Sequence, residues 1–299
     1  MCAAFPAIAL PLACTGSPHT LRYEKSQQKA YRLTDGSIAT IFRMHVNADG
    51  MKHAYHRDGI VGGGVDSLCN GGKPYPAGRR PYNASENKAA CAQFAADYKA
   101  IKNSGWKNPQ VGAINWFGVL GTGTANIDGI NVANVEPVEQ ADSSGFFVSP
   151  TALEDHAGFE RNDQRRYIDA EVVPAAVIKQ SDAMKNINIR MGSFGVAIHK
   201  NYRIAVPFVV GDYGPRIGEG TFALGRLLKG LSLETATRKN IYSAHIEKND
   251  VLWIFFGGEV ASPPYTPDRI KYSANQNFEA WGGMSRLNEC LGNPAIPEA

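Results

Sequence analysis

Asp212 and Glu219 are the residues of this 299-residue chain whose type and spacing first suggest chemistry. They flank a turn within VVGDYGPRIGEGTFALG (209–225). Two carboxylates in one cleft are what cleavage of a glycosidic bond requires. One protonates the leaving oxygen, and the other activates water or attacks the sugar carbon. Along an extended chain, seven residues would hold them roughly 23 Å apart, at about 3.3 Å each. An inverting hydrolase needs about 6.5–9.5 Å between carboxyls and a retaining one about 5–5.5 Å. A turn over Tyr213–Arg216 brings the chain back within that range. Carboxylates beside glycines are also common in solvated turns, so spacing alone leaves both readings open.

Glu219 stands just before a helix start, where the partial positive charge favours the ionised form. A general acid needs a raised pKa. Burial beside Ile217 or Phe222 must therefore outweigh the dipole if Glu219 is to be the acid and Asp212 the base; otherwise the roles swap.

The elements that must hold this turn follow from the apolar pattern. Ile204, Val206 and Phe208 to Val210 predict a buried strand leading into it. Thr221 predicts the cap of a helix with apolar face Leu224, Leu227, Leu228 and Leu231, with Lys229 and Gly230 favourable near its end. Two apolar runs around Lys200-Asn201 predict a hairpin over 193–210. Further strands are expected at 37–46, 111–120, 145–153, 165–178 (with Pro174 at a strand end or edge) and 249–258. Asn47-Ala48-Asp49-Gly50 reads as the turn after the first of these. A helix is expected over 83–104, with Asn83 and Glu86 as a capping box and Phe94, Tyr98 and Ile101 on its apolar face. Residues 15–35 read as an irregular entry, 121–145 as a long connection, and 275–281 as a short helix. The class is mainly β with a few helices, α+β.

Composition narrows the function. Thirty-one basic against 28 acidic residues give a net charge of +3, with no basic block to grip nucleic acid. The apolar first 14 residues read as the remnant of a secretion or lipoprotein signal. No later run is long enough for a membrane span. Of five cysteines, Cys2 and Cys14 fall in that remnant. That leaves Cys69, Cys91 and Cys290, of which the first two are closest in sequence; no spacing matches a zinc motif. His53, His56 and Asp58 form H-x-x-H-x-D, a metal-capable set that reads better as a polar loop or a sugar-binding wall, so no metal is expected. Trp106 and Trp116 suit either packing or stacking on sugar rings.

Several blocks, in order, resemble the chitosanases of glycoside hydrolase family 75: RMHVNADGMKHAYH (43–56), DSLCNGG (66–72), GFFVSPTAL (145–153), RRYIDAEVVP (165–174) and, most specifically, VVGDYGPRIGEGTFAL (209–224). They span most of residues 37–258. The resemblance implies an inverting endo-hydrolase of chitosan that uses no cofactor, with Asp212 and Glu219 as its essential pair. Asp49, Tyr167, Tyr213 and Arg216 become candidate substrate contacts. His45 departs from the family, which often carries Asp there, and residues 73–110 look like an insertion. The Asp-Gly-Pro turn is also similar to that of double-psi β-barrel proteins that loosen or cleave cell walls. The expected architecture is thus a six-stranded double-psi barrel in a single domain over 15–299, with a core at 37–258 and a tail at 259–299. The expected partner is chitosan or peptidoglycan. The remaining expectations are a monomer, secreted or associated with the cell envelope. A non-catalytic module that binds wall polysaccharide is the other reading on the same barrel.

Overall fold

The computed structural model describes residues 14–23, 26–59, 63–179 and 188–292. The apolar stretch before Cys14 lies outside them. Strand (34%) outweighs helix (22%), so the chain is mainly β, as expected, with four α-helices among the described residues. It divides into two compact units. One comprises Met1–His45, Val173–Ser232 and His245–Ala299, the other Val46–Val172 and Leu233–Ala244.

The first unit is built on a closed six-stranded β-barrel. Strand β1 (Gly16–Tyr23) pairs with β2 (Ser26–Leu33), which passes the sheet to β3 (Ile38–Val46). From β3 the ring runs through β11 (Glu219–Gly220), β8 (Ala175–Ile178), β10 (Ala205–Tyr213), β9 (Ser193–His199) and β12 (Ile246–Val260), then back to β3. The β8–β10 pair is parallel, whereas β9–β10, β9–β12, β3–β12 and β8–β11 are antiparallel. Every residue of β8 and β9 is buried. Helix α2 (Phe222–Leu228) and helix α3 (Pro267–Trp281) both pack on β9 and β10. Strands covered on both faces read as unbroken apolar runs rather than alternating ones. Phe208, Trp253 and Phe255 fill the core, with ring centroids 5.8 Å and 5.2 Å from Phe208.

Helix α2 starts where expected, with the Thr221 hydroxyl accepting from the Leu224 amide. It ends one turn earlier than the leucine pattern predicts. Gly230 takes a positive φ of 68°. The Gly230 and Leu231 amides donate back to the Leu227 and Arg226 carbonyls, a Schellman closure that puts Leu231 outside the helix, partly exposed.

Among the described residues, the second unit holds two antiparallel strand pairs and one α-helix. The pairs are β4 (Gly72–Pro76) with β5 (Gly112–Trp116), which are separated in the chain by that helix, and the hairpin of β6 (Gly121–Ile127) with β7 (Ile130–Pro137). Helix α1 (Lys88–Asn103) is capped by Asn87, whose side chain accepts from the Ala90 amide. Asn83 instead folds its own side chain onto Ser85, and the helix begins four residues later than a cap at Asn83 predicts. Trp116 is buried among Phe94, Tyr98, Trp106 and Phe147, so its ring is a core element.

Other expectations are corrected. Residues 15–35 form the β1–β2 hairpin, not an irregular entry. Residues 121–145 contain the β6–β7 hairpin, turned by Asp128-Gly129, both with positive φ. Residues 145–153 supply only isolated bridges at Phe146 and Phe147, and of 165–178 only the stretch after Pro174 is strand. The late helix begins at Pro267 rather than near Asn275; proline suits a first turn, where no amide donor is needed. Helix α4 (Gly283–Leu291) follows it. Two disulfides join Cys14 to Cys290 and Cys69 to Cys91. Cys14, which the sequence reading puts in the signal remnant, is thus engaged within the first unit. No helix of the described residues is long and apolar enough to cross a membrane.

Candidate active site

The short strand β8 organises the carboxylate pair. Val177 faces Asp212 across the parallel β8–β10 ladder and Glu219 across the antiparallel β8–β11 ladder. The two acids therefore flank one residue of a central strand. Neighbouring strands lie about 4.8 Å apart, so the two backbones are about 10 Å apart. Residues opposed in register turn their side chains to the same face. A register shift between Val210 and Asp212 marks an irregularity in β10 just before the first acid; such bulges re-aim a side chain.

Asp212 is half-buried, and its Oδ1 accepts from the Tyr213 amide at 2.8 Å. Gly214 follows, its amide donating to the Ile178 carbonyl at 2.9 Å. A methyl group built on Gly214 would lie 2.5 Å from Val177 Cγ1 and 3.3 Å from Glu219 Oε2. Glycine is required there because the turn backbone lies directly against the acid and the strand beneath it.

Glu219 is half-buried by exposure, and loss of hydration pushes its pKa above the ordinary carboxylate value. The positive charges of Arg216, His45 and Arg43 act against that shift without cancelling it. Burial thus outweighs the charges of these neighbouring side chains. Arg216 and Arg43 both lie over the Phe42 ring, 5.6 Å and 5.7 Å from its centroid. The His45 amide donates to the Gly218 carbonyl at 2.9 Å, fixing β3 to the residue before Glu219. Tyr213, at the end of β10, is 39% exposed.

The structure brings together Asp212, Tyr213, Arg216 and Glu219 in the first unit. The other two expected contacts, Asp49 and Tyr167, belong to the second unit. Tyr167 is buried against Leu120 and Val148, and its hydroxyl donates to the Arg161 carbonyl. It is a packing residue. Asp49 accepts from the Tyr55 hydroxyl at 3.2 Å, and the same hydroxyl lies 3.5 Å from Asp66. Burial raises the pKa of Asp66 and lifts that of Tyr55 well above the ordinary phenol value. Asp66 and Tyr55 were not singled out from the sequence, although Asp66 opens the DSLCNGG block. His53 and His56 both pack edge-on against Phe146, while Asp58 pairs with Arg57 and Lys102. His53, His56 and Asp58 do not appear as a metal-capable group. One such group among the described residues is His45, His245 and Glu247.

Against known proteins, no family model matches the chain and no curated protein matches it in sequence.

Proposed function

We propose that the protein is an endo-acting glycoside hydrolase that cleaves β-1,4 bonds of an amino-sugar polymer, chitosan foremost, with inversion at the anomeric carbon. The observation that carries this reading is the shared partner: Asp212 and Glu219 flank Val177 on adjacent strands. A backbone separation of about 10 Å fits carboxyls held with room for one water, about 6.5–9.5 Å apart. Glu219, its pKa raised by burial, is the general acid that protonates the leaving oxygen. Asp212, on the strand across Val177, is the base that takes a proton from the attacking water. Arg216 and the exposed Tyr213 contact the sugar chain next to them.

The test is release of reducing ends from chitosan and, in parallel, from peptidoglycan. Asp212→Asn and Glu219→Gln are each expected to lose about 10²–10⁴-fold in kcat, the usual worth of a general acid or base. Either variant retaining wild-type activity removes that residue from the mechanism. Cleavage of peptidoglycan but not chitosan reassigns the substrate while leaving the chemistry intact. Binding to both polymers with no product by mass spectrometry replaces the enzyme with a polysaccharide-binding module.

A further inference from the structure

We propose that His45, His245 and Glu247 form a binding site for a divalent transition-metal ion of the zinc class. Sheet register creates the site. Met44 of β3 pairs with Ile246 of β12. One step outward in that antiparallel ladder sets His45 opposite His245, and the two-residue period of a strand turns Glu247 to the face of His245. The side chains converge as the register requires. The imidazoles stack with centroids 5.0 Å apart and planes 22° from parallel. Glu247 presents one carboxylate oxygen to each ring: Oε2 lies 2.9 Å from His45 Nε2, and Oε1 lies 3.5 Å from His245 Nδ1. One ligand atom from each residue lies within 4.8 Å of the others.

Those spacings suit a small tetrahedral ion. Zinc sits about 2.0–2.2 Å from nitrogen and carboxylate ligands, which sets neighbouring ligand atoms about 3.3–3.5 Å apart. The Glu247–histidine separations of 2.9 Å and 3.5 Å, made by different carboxylate oxygens, lie near that value; with one atom from each residue the set lies within 4.8 Å, so the side chains draw together around an ion. Two imidazoles and one carboxylate select zinc, cobalt or iron over calcium and magnesium, which demand more oxygens. The histidine side chains are 26% and 15% exposed, while Glu247 is 71% exposed. An ion can therefore enter from the glutamate side, and a fourth position stays open to water. Neighbouring structure holds the ligands in place. The His45 amide is bonded to the Gly218 carbonyl. The β3–β12 register shifts between Ile246 and Val251, placing an irregular stretch beside Glu247; bulges favour such functional positions.

The full chain is stripped with a chelator, dialysed and titrated with zinc chloride by calorimetry. Wild type is expected to bind one ion per chain. Glu247→Gln should weaken binding at least about tenfold, and His45→Asn with His245→Asn should weaken it at least about 100-fold, since losing even a group that supports a ligand costs about 10–100-fold. Cobalt should give a visible tetrahedral absorption band in wild type that is missing in the double variant. Metal-free melting curves check that the variants fold, and exposed Glu247 makes its variant the one least dependent on folding. No stoichiometric binding by wild type overturns the proposal. So does undiminished binding by Glu247→Gln and the double variant, which would place the ion elsewhere. Sugar hydrolysis plays no part in these measurements, so this site and the proposed activity stand or fall separately.

Discussion

Glu219 is held in a state that favours its proton, and that has a thermodynamic consequence apart from any reaction. A carboxyl whose folded pKa is raised binds protons more tightly in the native chain than in the unfolded one. By linkage, native stability then falls as pH rises from the ordinary value of about 4.3 through the raised folded value, and the penalty persists above it. Glu219→Gln removes the penalty. Calorimetry should therefore find this variant with a higher Tm than wild type at pH 7, the difference closing towards pH 4. A variant no more stable at pH 7 would mean that Glu219 is not strained by burial. Rate should respond to the same balance. Arg216 lowers the Glu219 pKa, so Arg216→Met should let it rise further. In the proposed hydrolysis, the alkaline limb of kcat/KM, which would report loss of the acid's proton, should then move to higher pH. An unmoved limb would assign it to another group.

At the scale of elements, Thr221 is the pin between strand and helix. Its hydroxyl donates to the Val173 carbonyl at 2.7 Å and accepts from the Ala175 amide at 3.0 Å and the Leu224 amide at 3.3 Å. It thereby locks the start of β8 to the start of α2, on either side of the acid pair. Thr221→Val keeps the shape but strands buried backbone groups. A loss of about 2–3 kcal/mol in unfolding free energy is expected, from the lost cap and the unsatisfied polar groups together. Denaturant titration measures it, and a loss below about 0.5 kcal/mol would mean that water or backbone shifts satisfy these groups. The cap was legible in the sequence because capping is local, as were the 193–210 hairpin and the face of α1. The β1–β2 hairpin was not, since SQQKAYRL holds only three apolar residues, Ala30, Tyr31 and Leu33, and although all are buried, the polar remainder resembles a loop. Val177 was also illegible as the link between the acids. It lies 35 residues before Asp212, and no periodicity reveals which strand will be inserted between two others. The same holds for His45 and Glu247, brought together across 202 residues by pairing of β3 with β12. Residues confined to one turn could be placed directly, whereas residues brought together by the ring of strands needed the ring.

The whole molecule is stapled at two very different chain lengths. Cys14–Cys290 closes a separation of 276 residues within the barrel unit, and Cys69–Cys91 closes 22 within the other unit. Both bonds are compatible with an oxidising, extracytoplasmic setting. A cross-link chiefly restricts the unfolded chain, by an amount that grows with the logarithm of loop length. The long staple also ties the first and last segments of a unit whose middle is supplied by residues 173–232. In the loop-entropy picture it should stabilise by about 2 kcal/mol more than the short one, with each bond worth about 2–5 kcal/mol. The paired variants Cys14→Ser with Cys290→Ser, and Cys69→Ser with Cys91→Ser, separate the two contributions. Each should lower the melting transition of the unit that holds it, the first by the larger amount. Equal shifts would mean that the unfolded barrel segments stay compact without the staple. A single shared transition in both variants would mean that the two units unfold as one cooperative body, and the loop-length difference should then appear in its midpoint.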